Sequence, residues 1–217
     1  SGKFLRHAPG DPFVSGHDFG QNVGGDIKLG LGNNLTLSAT INPDFGQVEV
    51  DPAVVNLTQF ETFFDEKRPF FVESSNLFDF GFGGANNNWG FNFGNPSFFY
   101  SRRIGRPPAG GVQHYDSDGE GDVYSDVPDH THIIGAAKLT GKISDGWSIG
   151  ALEAFTAREY GKTDSAGTRF ADVTEPFTSY SVVRSIREFN QGRQGLGLIT
   201  TATVRDLNRG YLEPGFN

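Results

Sequence analysis

Neither cysteine nor methionine occurs among the 217 residues of this chain. Without cysteine there is no disulfide framework and no thiolate to serve as nucleophile or soft metal ligand. A natural full-length chain begins with methionine, so the lack of that residue leads to the expectation of a processed product or an excised piece. Long apolar runs are missing too. No segment reaches the roughly 18–20 apolar residues that a membrane-crossing helix needs, which excludes a helical membrane protein. Charged residues make up 20% of the chain, below the usual quarter, and their balance leaves a net charge of -8. A nucleic-acid partner needs a basic face, and the one dense basic run is SRRIGR, Ser101 to Arg106. Its Arg102 and Arg103 read either as charges at a strand end or as contacts to a ligand phosphate or a lipid headgroup.

What the chain does have is glycine, 30 residues, and phenylalanine, 21 residues. That glycine content is about twice the average usage of roughly 7%, and the mixture favours β-structure with tight turns. The length suffices for one large β domain or a small two-part protein. A mean hydropathy of -0.39 does not decide between solvent and membrane, because a transmembrane barrel places apolar residues at every second position and polar ones between them.

Residues 1–25 are rich in Gly, Pro and Asp without periodicity and read as an extended leader. From Asp26 the pattern sharpens. Ile27, Leu29 and Leu31 fall on one face, Gly32-Asn33-Asn34 turns the chain, and Leu35, Leu37, Ala39 and Ile41 repeat the alternation. The opposite face carries Asp26, Lys28, Thr36, Ser38 and Thr40, so one side is apolar and the other polar. A second hairpin runs from Ile133 to Ile143, turns at Ser144-Asp145-Gly146 and returns from Trp147 to Ala157. A third pairs Ser179–Phe189 with Gly195–Leu207 around Asn190 to Arg193. Each arm is about the ~10 residues of a tilted membrane strand, although Glu153 shares a face with Trp147, Ile149 and Phe155 and so blurs the assignment of inside and outside. About six long strands result, whereas a closed bacterial barrel has at least eight. The expectation is an all-β fold, an antiparallel β-barrel of the outer-membrane type or part of one, over residues 26–217.

Between the first two hairpins lies a structured insert, residues 42–75. Asp51 as N-cap and Pro52 at the first helical position start a short amphipathic helix, with Val54, Leu57, Phe60 and Phe64 at helical spacing through Glu66. Such a helix could plug a lumen, lie against a rim or cap one end of a β core. The tract from Asn76 to Phe99, dense in Phe, Gly and Asn, reads as loop or as two short strands, and its aromatics suit either an interfacial girdle or a soluble core.

Five ordered motifs carry a family resemblance: NPDFGQVEVDP (Asn42 to Pro52), NLTQFETFFDEKRPFFVE (Asn56 to Glu73), FFYSRRIGR (Phe98 to Arg106), DVPDHTHIIGAAKLTGK (Asp126 to Lys142) and ALEAFTA (Ala151 to Ala157). Together they resemble the barrel region of bacterial outer-membrane proteins of uncharacterised function in which a family-9-type carbohydrate-binding domain precedes the barrel. The resemblance implies an outer-membrane location and brings no catalytic residues. The glycan suggestion belongs to the carbohydrate-binding domain of that family, and the resemblance leads to the expectation that these residues are part of a larger barrel.

Candidate chemistry is sparse. Asp116, Asp118, Glu120 and Asp122 place oxygen ligands at alternate positions among Ser and Gly, a spacing that can wrap Ca²⁺, though Val127 stands where an EF-hand has its twelfth-position Glu. The bland alternative is a solvated acidic loop, with no cofactor at all. His130 and His132 would point the same way in an extended chain, as a Zn²⁺ pair without an evident third ligand, or are plain surface histidines. Glu49 and Asp51 share a strand face, and paired carboxylates can do acid and base work when burial separates them. No nucleophile elbow or phosphate loop occurs. Trp89, Arg102 and Arg103 are the candidate ligand-binding residues; no catalytic residue is assigned. Three functions follow as expectations: a non-enzymatic outer-membrane barrel in contact with lipid and serving glycan or nutrient uptake, a carbohydrate-active module that binds or hydrolyses polysaccharide through Trp89 and the carboxylates, and a structural protein whose open strand edges pair with the remainder of a parent barrel or with other copies.

Overall fold

The computed structural model describes residues 11–13, 23–43, 63–79, 98–112 and 123–207. Most of the leader, the helix expected from Asp51, the Trp89 tract, the Glu49 and Asp51 pair and the acidic run from Asp116 to Asp122 lie outside them.

The strands follow the alternation in the sequence. They are β1 (Gly25–Leu31), β2 (Leu35–Ile41), β3 (Val123–Asp126), β4 (Ile133–Ser144), β5 (Trp147–Thr156), β6 (Glu159–Ser165), β7 (Thr168–Glu175), β8 (Thr178–Phe189) and β9 (Gln194–Arg205). Six of them form one antiparallel sheet in the order β1-β2-β4-β5-β8-β9, and the other three form a smaller one, β3-β6-β7. The fold is all-β, as the periodicity predicts. Among the described residues the larger sheet does not close, and β1 and β9 are its edges.

Its two ends differ. At one end the chain reverses through residues 32–34, 145–146 and 190–193; at the other, residues 42–132 and 157–177 make the connections. The second of these includes the β6–β7 hairpin, which the sequence reading missed. Register is fixed at the short-turn end by Gly141, whose φ of 138° no L side chain adopts easily. A Cβ there would stand 2.0 Å from the Asn34 carbonyl oxygen, and the freed space lets the Lys142 N–H donate to that carbonyl at 2.9 Å.

Because side chains alternate across a pleated sheet, cross-strand rows define its two faces. One face carries the row Lys28–Ser38–Lys138–Leu152–Val182–Thr201 and, one step on, Gly30–Thr36–Thr140–Gly150–Arg184–Ile199. The other carries Leu29–Leu37–Leu139–Ala151–Val183–Thr200 and Leu31–Leu35–Gly141–Ile149–Ser185–Leu198. The first face is covered over β4, β5 and β8 and is mostly polar at its β1–β2 side, where Lys28 on the edge strand is exposed. The second is apolar and open: Leu29 is 50% exposed and Leu198 69%. A soluble sheet buries its apolar face and wets its polar one, so this arrangement is inverted.

The cover on the first face comes from the β2–β4 connection. A single-turn helix, α1 (Pro69–Val72), a 3-10 turn at Ser75–Phe78 and another at Ser101–Arg103 set Phe71, Phe78 and Ile104 against Ile133, Ala136, Leu152, Ala154 and Val182. Of the helix expected from Asp51 through Glu66 only residues 63–66 are described, and there, as through residue 68, the chain is irregular. Phe64 has its N–H and carbonyl engaged by the Tyr100 hydroxyl, and the Glu66 side chain takes the N–H groups of Lys67 and Arg68. Helix begins only at Pro69, where proline at the first turn is tolerated.

Candidate functional site

The insert is assembled from two sequence motifs that the fold brings together. In DEKRPFFVE, Glu66 and Arg68 form a two-pronged pair: Arg68 Nε donates to Glu66 Oε1 at 2.7 Å and Nη2 to Oε2 at 2.7 Å. Both side chains are largely buried. The guanidinium then reaches the other motif, FFYSRRIGR, donating to the carbonyls of Ile104 at 2.6 Å and Ser101 at 2.8 Å, while its plane lies over the Phe71 ring with 4.3 Å to the centroid. A planar fork with five donors satisfies this many acceptors where an ammonium could not. Burial by itself would push the Glu66 carboxyl up, but the Arg68 hydrogen bond and charge and the Ser101 hydroxyl outweigh it and hold the group below the usual carboxylate range.

Strand residues fasten the insert to the sheet. Lys138, only 2% exposed, projects from the middle of β4 and donates through Nζ to the carbonyls of Phe70, at 2.5 Å, and Glu73. The same ammonium lies 4.9 Å from the centroid of the Phe70 ring. Arg184 on β8 donates to the Leu77 carbonyl at 3.4 Å. Lys28 on β1 pairs with the Glu73 carboxylate, and that hydrogen bond holds the Glu73 carboxyl below its ordinary range. Between these ties Gly150 leaves bare backbone under the insert. A Cβ there would come within 3.2 Å of the Phe78 ring.

A second junction joins the long-connection end to the smaller sheet. Glu175, 1% exposed, accepts from Arg106 Nη2 at 3.0 Å and from the Ala109 N–H at 2.8 Å. The Arg106 carbonyl in turn accepts from the Thr131 N–H at 3.0 Å and hydroxyl at 2.7 Å.

The residues singled out in the sequence fall as follows. Arg102 donates to the Asp65 carbonyl at 2.8 Å and lies near the Phe64 ring, so it has a task inside the insert; Arg103, in the same 3-10 turn, is exposed. His130 and His132 are exposed, and the His132 backbone ties β4 to the smaller sheet through Glu159 Oε1 and the Ala157 N–H. Trp89, Asp116, Asp118, Glu120 and Asp122 are outside the described residues. Among those that are described, no three His, Asp or Glu side chains gather as a metal ion requires. Sequence reasoning did not find the anchoring roles of Lys138 and Arg184. The available signal was a long cation in mid-strand, flanked two positions away by Ala136, Thr140 and Val182 on its own face.

The family model described as a domain of unknown function, DUF5916, matches residues 11–209. The chain belongs to that family. No curated protein and no solved structure matches it. In this DUF5916 chain the match runs across both sheets and the insert, so the clamp of Glu66, Arg68, Lys138 and Arg184 lies wholly within the family domain. Chemically the arrangement is a latch: its charged groups are engaged with one another and with backbone carbonyls, and they hold a connecting segment across the polar face of the sheet.

Proposed function

We propose that this chain forms part of the wall of a bacterial outer-membrane β-barrel, with the insert lying on the lumen side and lipid on the other. One observation carries the reading. The face opposite the insert is a set of apolar rows, Ile27, Leu29 and Leu31 on β1 through Leu196, Leu198 and Val204 on β9, that nothing covers among the described residues. An apolar face turned out and a polar face turned in is the pattern of a transmembrane barrel.

Further features agree with it. Short turns at one end and long connections at the other match the unequal ends of outer-membrane barrels. Aromatics flank the apolar rows, with Trp147 and Phe189 toward the short turns and Phe155 stacked on Phe177 at 6.2 Å toward the long connections. At about 3.4 Å per residue the Trp147–Phe155 separation along β5 is about 27 Å. A tilt near 40° reduces that to about 21 Å, close to the roughly 25 Å band of known barrels. Glu153 is an acidic residue on the outward face, and its carboxylate accepts from the Ser179 hydroxyl at 2.7 Å and from the Ser181 hydroxyl. It lies one row from Phe155, where a membrane boundary would fall.

The role that fits such a wall is passage of a glycan or other nutrient, with the insert set where a plug would sit. The open edges of β1 and β9 suit pairing with further strands of a parent barrel, or with other copies of this chain. The test is partition. The chain is expected to enter detergent micelles or vesicles with a β-type circular dichroism spectrum and gel mobility that changes on heating, whereas a compact monomer in plain buffer would remove the barrel reading and favour the carbohydrate-active module.

A further inference from the structure

At the short-turn end of the outward face, Arg187 on β8 stands directly across from Trp147 on β5 and Leu196 on β9. Its guanidinium lies over two rings at once, 5.1 Å from the Trp147 centroid and 5.2 Å from that of Phe189. A cation–π contact of this kind is electrostatic and does not itself satisfy the N–H donors of the guanidinium. Among the described residues no carboxylate or carbonyl takes those donors. Glu188 belongs to the opposite face, and Asp145 sits in the β4–β5 turn without pairing to Arg187. A half-buried cation set against two aromatics, with no anionic partner among the described residues, is therefore built into the rim of the apolar rows. Toward the sheet interior the same face continues through Leu196, 72% exposed, and Leu198, 69% exposed.

We propose that Trp147, Arg187 and Phe189 bind the phosphate of an anionic phospholipid headgroup, whose acyl chain lies along Leu196 and Leu198. The proposal rests on the membrane reading above and names the lipid that this face selects. Guanidinium and phosphate match as fork and acceptor, and the planar fork is pre-organised, so less side-chain freedom is lost per hydrogen bond formed. Trp and Phe at this depth also suit the interface between acyl chains and headgroups. A single cation near a membrane surface contributes enough to enrich an anionic lipid about fivefold over its bulk fraction.

The test uses the full chain in a Trp89→Phe background, which leaves Trp147 as the sole tryptophan. Its fluorescence is quenched with brominated phosphatidylglycerol, or brominated phosphatidylcholine, as the minor component of phosphatidylcholine vesicles. The expected result is roughly fivefold stronger quenching per mole by the anionic lipid, reduced to equality by Arg187→Gln and partly retained by Arg187→Lys, with unchanged circular dichroism in all three. Equal quenching of the Arg187 protein by both lipids would overturn the headgroup site and leave the membrane reading standing. Absence of quenching by either lipid would overturn both. In neutral detergent, a Trp147 response to inorganic phosphate as large as that to the lipid would assign the site to free phosphate and overturn the lipid assignment.

Discussion

Glu66 makes the insert sensitive to pH. Its carboxyl sits below the ordinary value of 4.5 in the folded chain because Arg68 and Ser101 favour the charged form more than burial opposes it. A folded value below the unfolded one stabilises fully above the unfolded value and is lost as pH falls through the folded one. The insert should therefore resist protease between neutral pH and about pH 5, then loosen progressively below about pH 4, while the β5–β8 amides remain protected. A Glu66→Gln protein should cleave faster at neutral pH and lose less on acidification than the parent, the remainder coming from the Lys28–Glu73 tie. Lys138 acts at the same scale by a different route. Lys138→Met keeps much of the side-chain stem but strands the Phe70 and Glu73 carbonyls, at a cost of about 1–3 kcal/mol for buried unmet acceptors. Faster amide exchange in residues 69–79, with the sheet unaffected, is the expected sign.

Elements with clean alternation were legible in the sequence, and those whose turns use unfavoured residues were not. The β1–β2 turn announces itself with Gly32-Asn33-Asn34 and the β8–β9 turn with Asn190 and Gly192, residue types that accept positive φ readily. The β6–β7 hairpin turns through Ala166 at φ 49° and Gly167 at φ 82°. Alanine gives no turn signal, and the flanking strands carry Asp164, Arg169 and Asp172 on a loop-like stretch, so the hairpin stayed hidden. The described end of the insert, residues 63–68, departs from the expectation for another reason. There the expectation of helix up to Glu66 followed local spacing, whereas the backbone at Phe64 and the side chain of Glu66 are engaged by Tyr100 and Ser101, more than thirty residues on in sequence. Lys138 as an anchor was likewise invisible, because its acceptors are backbone carbonyls that only the fold brings near. At this scale Gly141 offers a direct check. Gly141→Ala would force a Cβ toward the Asn34 carbonyl at a φ that alanine avoids, costing about 1–3 kcal/mol before the clash is counted. The predicted outcome is a lower urea midpoint and faster exchange confined to residues 34–36 and 140–142, where β2 meets β4.

For the molecule as a whole, the two faces of the larger sheet decide what surrounds it. Were the chain a soluble module, cations on the open apolar face would be nearly neutral and would improve solubility. In a bilayer, an arginine at the midplane of a barrel's lipid face costs about 2–4 kcal/mol, and the same change facing the lumen costs far less. The central claim is tested most directly by spin labels placed singly along β1 and β2 at positions 28, 29, 37 and 38 of the chain in vesicles, with accessibility measured to oxygen in the lipid and to a nickel chelate in the water. The account predicts alternation: labels at 29 and 37 reached by oxygen, those at 28 and 38 shielded from it. Uniform exposure of 29 and 37 to the aqueous chelate would contradict it and leave an open β-sheet whose apolar face must be covered by protein.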